Sequence, residues 1–156
     1  MGQAVAQIVE HRVHRRRRTL LRTRGASIGL TATATDRVVR QIEAGFPFKS
    51  LESLSALSGL STTEIASILR IPERTLARRN AAGRLRPDES ERLLRISTIF
   101  EKAVELFEGD VDAAAKWLTV PKRALGGQSP LIYSRTELDA REVERLIGRL
   151  EYGVFS

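Results

Sequence analysis

The chain has 156 residues and no cysteine, which excludes disulfides and thiolate metal sites, and its two histidines make a conventional zinc site hard to assemble. Aromatic residues make up only 5% of the sequence, so the core must be built from aliphatic side chains, which favours helices over a β-sandwich. No apolar run approaches the roughly 20 residues needed to span a bilayer, and the N-terminus lacks a secretory signal, so we expect a cytoplasmic protein without a membrane segment.

The formal net charge of +7 is concentrated in two blocks. Residues 1–25 carry seven arginines and one glutamate, a charge of +6, and residues 70–86 carry six arginines and one glutamate, a charge of +5. The C-terminal part of the chain, residues 87–156, is acidic at −3. Localised positive charge indicates a polyanionic partner, and the acidic part indicates a different partner there.

The first 30 residues are predicted to form a basic segment that is mobile in solution, because they offer few apolar side chains to bury. A DNA-contacting arm is the alternative interpretation. A helix is then predicted over residues 34–45, ending at Gly45 and Pro47, and a short helix from Ser50 that ends at Gly59.

Two adjacent helices are predicted next, over residues 62–70 and 72–82. Ser61 and Glu64 have the spacing of a capping box, in which each side chain satisfies a backbone donor at the helix start. Pro72 is expected at the first position of the second helix, and Gly83 is expected to end it.

A long helix is predicted over residues 88–107, with Asp88 and Glu91 as its capping pair. Its apolar stripe would be buried either within the chain or against a second copy; it comprises Leu93, Ile96, Phe100, Ala103 and Phe107. A short helix follows around residues 111–118. Thr136 opens a last helix, predicted to carry an apolar set of Leu138, Val143, Leu146, Ile147 and Leu150. Gly148 inside that helix indicates close packing by another backbone.

The helix pair at 62–82 has the dimensions of a helix-turn-helix, which places its second helix in the major groove of DNA. If Leu76 points inward, Arg74 and Arg78 lie on the opposite face, with Thr75 and Arg79 on its flank. The candidate DNA-binding residues are Ser61, Thr62, Thr63, Arg74, Thr75, Arg78 and Arg79. The alternative is a solvated, arginine-rich helix face.

No catalytic or metal-binding constellation is present in the sequence, so we expect a non-enzymatic protein without a cofactor. Glu101 and Glu105 lie one turn apart, but they are expected on a solvated helix face rather than in an acid and base pair. Trp117 is expected in the core. The fold class is therefore all-α, with a basic segment at 1–30, a helix-turn-helix DNA-binding domain at 31–87, and a C-terminal helical domain at 88–156.

From about residue 50 onward the chain resembles the Xre/MbcA/ParS-like antitoxins. The likeness is carried by LSALSGLSTTEIASILRIPERTLARRNAAGRL, ESERLLRISTIFEKAVELFEGD, AAAKWLTVPKRALGGQSPL and EVERLIGRLEYGV. The combination of Trp117-Leu118, Pro121, Ala124 to Gly127, and Pro130-Leu131 is its most specific part. Residues 132–135 depart from the acidic, leucine-rich stretch expected there, and the basic segment before residue 30 has no counterpart.

This resemblance implies an antitoxin whose partner is a RES-domain toxin that uses NAD. It implies that the C-terminal region covers the active site of the toxin, a role that falls on Arg149, Glu151, Tyr152, Gly153, Val154 and Phe155. The apolar end of the chain agrees with a plug for a cleft, although packing against the protein's own core is the alternative.

Two further expectations concern partners. The helix-turn-helix is expected to bind operator DNA as a homodimer joined at least partly through the helical body; the seam of the long helix is the candidate contact, with intrachain core as the alternative. A helix-turn-helix transcriptional regulator without a toxin partner is the alternative to the antitoxin.

Overall fold

The computed structural model describes residues 23–153, so most of the basic N-terminal segment, together with Val154 and Phe155, lies outside the described residues. The all-α prediction is confirmed. In the described range the α-helices are α1 Thr35–Ala44, α2 Phe48–Ser58, α3 Thr62–Ile68, α4 Glu73–Ala82, α5 Pro87–Leu106, α6 Val111–Thr119, α7 Pro130–Tyr133 and α8 Glu137–Glu151. Short 3₁₀ turns lie at Ala26–Ile28 and Arg123–Leu125.

Two helices begin directly after the capping residues that the sequence predicted, Ser61 and Thr136. The capping box of α3 is confirmed: the Ser61 backbone N–H donates to Glu64 at 2.7 Å, and the Glu64 N–H donates to the Ser61 hydroxyl at 3.0 Å. Thr136 caps α8 as expected, accepting from the Asp139 N–H. Pro72 lies one position before α4.

The predicted capping pair of α5 is wrong by a few residues. Pro87 is the first residue of the helix, so the capping glutamate is Glu89, which accepts from the Arg86 N–H at 2.9 Å. Asp88 instead forms an exposed ion pair with Arg92. The sequence pattern alone did not distinguish two glutamates that lie two positions apart.

The core is organised around α5, which packs against α1, α6, α8 and the N-terminal turn. The apolar stripe of α5 is interior: Leu93, Ile96 and Phe100 are all buried within this one chain. The seam is therefore intrachain core, the first of the two alternatives, and it does not serve as a contact between copies. α1 lies at the edge, with Val38 and Ile42 only partly buried.

The loops before α2 and after α4 approach each other closely. The Leu85 N–H donates to the Phe46 carbonyl at 2.8 Å, and the Phe48 N–H donates to the Gly83 carbonyl at 3.0 Å. Gly45 has φ of 81°, and a Cβ there would lie 2.1 Å from the Leu85 carbonyl oxygen. Only glycine fits this contact, which fixes the end of α1 beside the end of α4.

The last residues of the predicted mobile segment belong to the folded body. Ile28 and Leu30 are buried in the main core. Two buried hydrogen bonds tie Gly25 and Ser27 to Glu101 of α5 through their backbone N–H groups. The expectation of a mobile segment up to residue 30 is therefore wrong for residues 25–30.

Trp117 lies at the edge of the core. It is partly buried and packs against Phe107 with ring centroids 6.5 Å apart, while the Lys122 ammonium lies 5.2 Å from the indole ring centroid. That distance is within the range of a cation–π interaction. Burial lowers the pKa of Lys122.

Candidate functional site

The helix pair α3 and α4 has the geometry of a helix-turn-helix. Four residues separate Ile68 from Glu73. The turn is closed by the Ile71 N–H, which donates to the Ala66 carbonyl at 2.8 Å, and it contains Arg70 at a positive φ of 57°. A short turn between two helices of this length is the feature expected of the motif.

The start of α3 already holds a carboxylate. Ser61 and Thr63 are exposed and Thr62 is partly buried. The Ser61 hydroxyl is engaged by the Glu64 N–H, and the Glu64 carboxylate accepts from the Ser61 N–H. Because that carboxylate is negative, it opposes a phosphate at this helix start. Participation of these three residues in DNA binding stays a prediction.

Two arginines of α4 lie on its outer surface. Leu76 is buried, which agrees with its predicted inward position, and Arg74 and Arg78 are exposed. Arg78 donates to the partly buried Thr75 hydroxyl at 3.3 Å. Among the residues that the structure describes, neither exposed arginine has an ion-pair partner. Their guanidinium groups therefore remain available to an anionic partner.

Arg79 has a different environment from the one expected for a DNA contact. Its Nε donates to both carboxylate oxygens of Glu89, at 3.0 and 2.9 Å. The side chain of Arg79 is 18% exposed and that of Glu89 is 6% exposed. The hydrogen bond to Glu89 raises the pKa of Arg79. Periodicity along α4 could not reveal this ion pair, since Glu89 belongs to the next helix.

A second arginine ties the helix-turn-helix to α5. Arg92 donates from Nη1 to the Leu69 carbonyl, at the end of α3, over 2.6 Å. Its other terminal nitrogen donates to Asp88, one turn earlier in α5, at 2.6 Å. The sequence contained no local signal for this contact, because Leu69 and Arg92 lie 23 positions apart.

The outer face of α8 carries apolar groups. Leu138 is 76% exposed and Tyr152 is 82% exposed. Of the apolar set carried by this helix, Val143 and Ile147 are buried, whereas Leu138 is not. Arg149, Glu151 and Gly153 are exposed as well. Val154 and Phe155, which complete the predicted toxin-binding set, lie outside the described residues.

Gly148 lies in open space. A Cβ built at this glycine would meet nothing within 4 Å among the described residues. The prediction that another backbone of the chain packs closely here is therefore wrong, and α8 has free volume on that side.

Ion pairs anchor α8 to α5. Arg95 contacts Glu137 at 3.1 Å, and Lys102 contacts Glu144 at 2.8 Å. Burial tends to raise the pKa of Glu137, but hydrogen bonds from Arg95 and Arg141 outweigh that effect and lower it. The carboxylate of Glu137 is therefore held in its charged form, and the first turn of α8 is fixed against α5.

The solvated position expected for Glu101 is also wrong. Glu101 is buried and accepts from the Gly25 N–H at 3.1 Å, the Ser27 N–H at 2.9 Å and the Ser27 hydroxyl at 2.7 Å. Burial raises its pKa, and the hydrogen bonds partly offset that effect. Its neighbour Glu105 is exposed. Within residues 23–153 no cluster of metal-binding side chains occurs, and no helix there is long and apolar enough to cross a membrane.

Comparison with known proteins identifies the family. The chain is 41% identical to Antitoxin Xre of Yersinia enterocolitica over 130 residues, which cover 83% of this chain and 88% of that protein. The chain belongs to the Xre antitoxin family. It is also 32% identical to Antitoxin Xre of Photorhabdus laumondii subsp. laumondii over 131 residues, with the same 83% and 88% coverage.

Two family models divide this Xre-family chain. Residues 37–97 match the antitoxin Xre-like helix-turn-helix domain, and residues 102–153 match the antitoxin Xre/MbcA/ParS C-terminal toxin-binding domain. The resemblance drawn from the sequence is confirmed, as is the order of a helix-turn-helix unit followed by a toxin-binding unit. The two matches meet between residues 97 and 102, inside α5, whereas the sequence predicted a boundary at residues 87 and 88.

Proposed function

We propose that this chain is an antitoxin that neutralises a RES-domain, NAD-using toxin in the cytoplasm and represses its own transcription by binding operator DNA. The observation that carries the proposal is the presence of both family domains on one continuous core. The match of residues 102–153 to a toxin-binding domain favours an antitoxin over a regulator without a toxin partner. The protein acts by binding and has no catalytic role of its own.

The DNA-binding half of the proposal assigns the base and phosphate contacts to Arg74 and Arg78. Both are exposed on α4, one helical turn apart, and without ion-pair partners among the described residues. An arginine fork pairs bidentately with the edge of guanine or grips a phosphate oxygen. Thr75 holds Arg78 through its hydroxyl and so limits the freedom of that side chain.

The toxin-binding half assigns the contact to the exposed end of α8 and the residues after it. Tyr152, Val154 and Phe155 would enter the active-site cleft and exclude substrate sterically, since none of them supplies reactive chemistry. Leu138, one of the most exposed apolar side chains in the described range, extends the contact along the helix. Burial of such side chains contributes about 25 cal/mol per Å² of apolar area.

We also propose that the DNA-bound form is a homodimer. Operators with two-fold symmetry place two recognition helices about one turn of DNA apart, roughly 34 Å. Because the seam of α5 is intrachain core, the contact between copies would use another surface. Light scattering at micromolar concentration measures this directly, and a monomer both free and on DNA would contradict it.

The toxin-binding assignment is tested by co-expression of the toxin with variants of this chain. Deletion of residues 151–156 is expected to abolish protection of growth and of intracellular NAD, and Leu138→Asp is expected to weaken toxin binding. Val39→Asp, which adds the same charge to an exposed apolar position of α1, is the matched control and should protect fully. Equal protection by the truncated and full-length chains would contradict the plug.

The DNA-binding assignment is tested with Arg74→Ala combined with Arg78→Ala. Loss of a base-reading arginine costs about 1 to 3 kcal/mol of binding free energy, and each lost phosphate contact lowers the salt dependence by about one unit. The matched control replaces Arg141 and Arg145 of α8 by alanine, which removes the same charge from the other half. Toxin binding should survive the α4 changes. Unchanged operator affinity in a gel-shift assay would contradict the assignment.

A further inference from the structure

We propose that Arg79 is a positioning residue for DNA binding: its ion pair with Glu89 sets the orientation of α4, and Arg74 and Arg78 make the DNA contacts. This inference rests on the proposed DNA-binding function of α4. It differs from the sequence-based expectation, which assigned Arg79 to the DNA contact itself.

The first argument is the packing of α4. This helix of ten residues buries a single side chain, Leu76. Leu76 and the backbone contact of Gly83 with Phe48 hold the helix against the body, but they leave its rotation about its own axis weakly restrained. Arg79 lies three residues after Leu76, about 4.5 Å along the helix axis. Its ion pair supplies a further fixed point on the side of the helix, and this point restrains the rotation that decides which residues face outward.

The second argument is that the Glu89 carboxylate is itself held in place. Its Oε2 accepts from the Arg86 N–H at 2.9 Å, so the carboxylate is tied to the first turn of α5. It then receives both hydrogen bonds of Arg79 while almost completely buried. A carboxylate fixed by its own helix start cannot follow a movement of α4, and it therefore acts as an anchor.

The third argument is electrostatic. Arg79 is paired with a carboxylate at contact distance, so the pair adds no net charge toward DNA. A phosphate contact through Nε would leave the buried Glu89 without its partner, which is unfavourable, and the Arg79 side chain as a whole is only 18% exposed. Arg74 and Arg78 make no such ion pair within the described range, so they can contact a phosphate without breaking one.

The two roles predict opposite results for Glu89→Gln. If Arg79 contacts DNA, removal of the neighbouring negative charge frees the arginine and leaves operator affinity equal or higher. If Arg79 positions α4, the same change loosens the ion pair and lowers affinity, although the protein has become more positive. The neutral glutamine keeps nearly the same shape and still offers an acceptor to the Arg86 N–H.

The experiment measures binding of the full-length protein to a duplex from the promoter of its own gene by fluorescence anisotropy. We expect Glu89→Gln to bind roughly tenfold more weakly than the wild type, with an unchanged slope of affinity against salt, because Arg74 and Arg78 remain. Glu91→Gln is the control: it is exposed, lies on the same turn of α5 and removes the same charge. Its affinity should equal or exceed that of the wild type. Equal affinity of the two variants would overturn the proposal.

A second variant separates positioning from general loss of structure. Arg79→Lys keeps the positive charge but removes the Nε–H that donates to both oxygens of Glu89. A lysine can replace an arginine at a phosphate, so near wild-type affinity of this variant would overturn the proposal, whereas weaker binding at an unchanged salt slope supports it. Helix content by circular dichroism and toxin binding should both be retained. If Glu89→Gln does not fold, Arg79→Lys alone decides.

Failure of this inference is distinct from failure of the proposed function. If replacement of Arg74 and Arg78 leaves operator affinity unchanged, α4 is not the DNA-binding helix. If that replacement abolishes binding while Glu89→Gln binds as tightly as Glu91→Gln, α4 reads DNA and Arg79 has no positioning role.

Discussion

The two ends of α5 each bury a glutamate, and the two carboxylates are compensated in different ways. Glu89, in the first turn, receives an arginine from α4 as well as a backbone N–H. Glu101, near the other end, accepts hydrogen bonds from neutral donors of Gly25 and Ser27, and among the described residues the charge of Arg24 makes a smaller contribution. Burial consequently raises the pKa of Glu101.

The difference teaches what each glutamate does for the fold. Buried charge is costly unless it is paired, so the pair at Glu89 joins two helices whose charges require each other. Neutral donors compensate a buried carboxylate less completely than an arginine does. At Glu101 these donors belong mainly to the backbone of residues 25–27, so the carboxylate attaches that segment to α5. The first contact orients a helix, and the second closes residues 25–27 onto the core.

The largest expected effect is the loss of stability in Glu89→Ala. This change leaves the Arg79 guanidinium without its partner, and breaking a buried pair costs about 3 to 5 kcal/mol. We expect about 3 kcal/mol, at the lower end of that range, because the Arg79 side chain retains 18% exposure. Urea unfolding followed by circular dichroism measures it. A loss below about 1 kcal/mol would show that Glu89 is held no more tightly than a surface residue.

The second effect is smaller and comes from Glu101→Ala. The change leaves the Gly25 and Ser27 N–H groups buried without an acceptor, which costs about 2 kcal/mol in unfolding free energy. Residues 25–30 should then exchange their amide hydrogens faster, while α4 keeps its protection. If protection of residues 25–30 were unchanged, Glu101 would not be their anchor.

Glu101 also gives the stability a dependence on pH that follows from the direction of its pKa shift. Because its pKa is raised in the folded chain, folding favours the protonated form. The stability from this group is fully present below the ordinary pKa of 4.5 and is lost as pH rises through the folded pKa. Unfolding free energies of the wild type should therefore fall relative to Glu101→Gln over that window. A difference independent of pH would contradict a raised pKa of this carboxylate.

The smallest effect is expected where an ion pair is exposed. Arg145 pairs with Glu142 on the outer face of α8, with side chains 65% and 45% exposed. Solvent screens such a pair, so Arg145→Ala should change the unfolding free energy by less than about 0.5 kcal/mol. Thermal unfolding provides the measurement. A loss as large as that of Glu89→Ala would contradict the expectation that a buried ion pair stabilises this fold more than an exposed one.

Short-range features of this fold could be predicted from the sequence. The capping box of Ser61 and Glu64, the stop at Gly83 and the inward position of Leu76 depend on residues only a few positions apart. The family was identified in the same way, from motifs within a few turns of one another. These features are local, so the pattern contains all the information that they require.

Features set by distant parts of the chain could not be predicted. Glu101 is charged but buried, because the N-terminal turn covers it. Leu138 is apolar but exposed, because nothing in the described range covers it. Arg79, which was expected to contact DNA, pairs instead with the carboxylate of Glu89, ten positions later. The residues proposed to contact DNA and toxin stay predictions, and Val154 and Phe155 lie beyond the described part of the chain.

The position of the family boundary inside α5 has a consequence for how such chains recombine. A crossover between two relatives at residues 97–102 would join halves of one helix from different parents in the middle of a packed core. Ile96 lies just before this range, and Ile99 and Phe100 lie within it; all three are buried. Since cores tolerate changes of volume poorly, most such hybrids should misfold unless the parents share these side chains. If such hybrids misfold, the DNA-binding half and the toxin-binding half would be inherited together rather than exchanged separately between relatives.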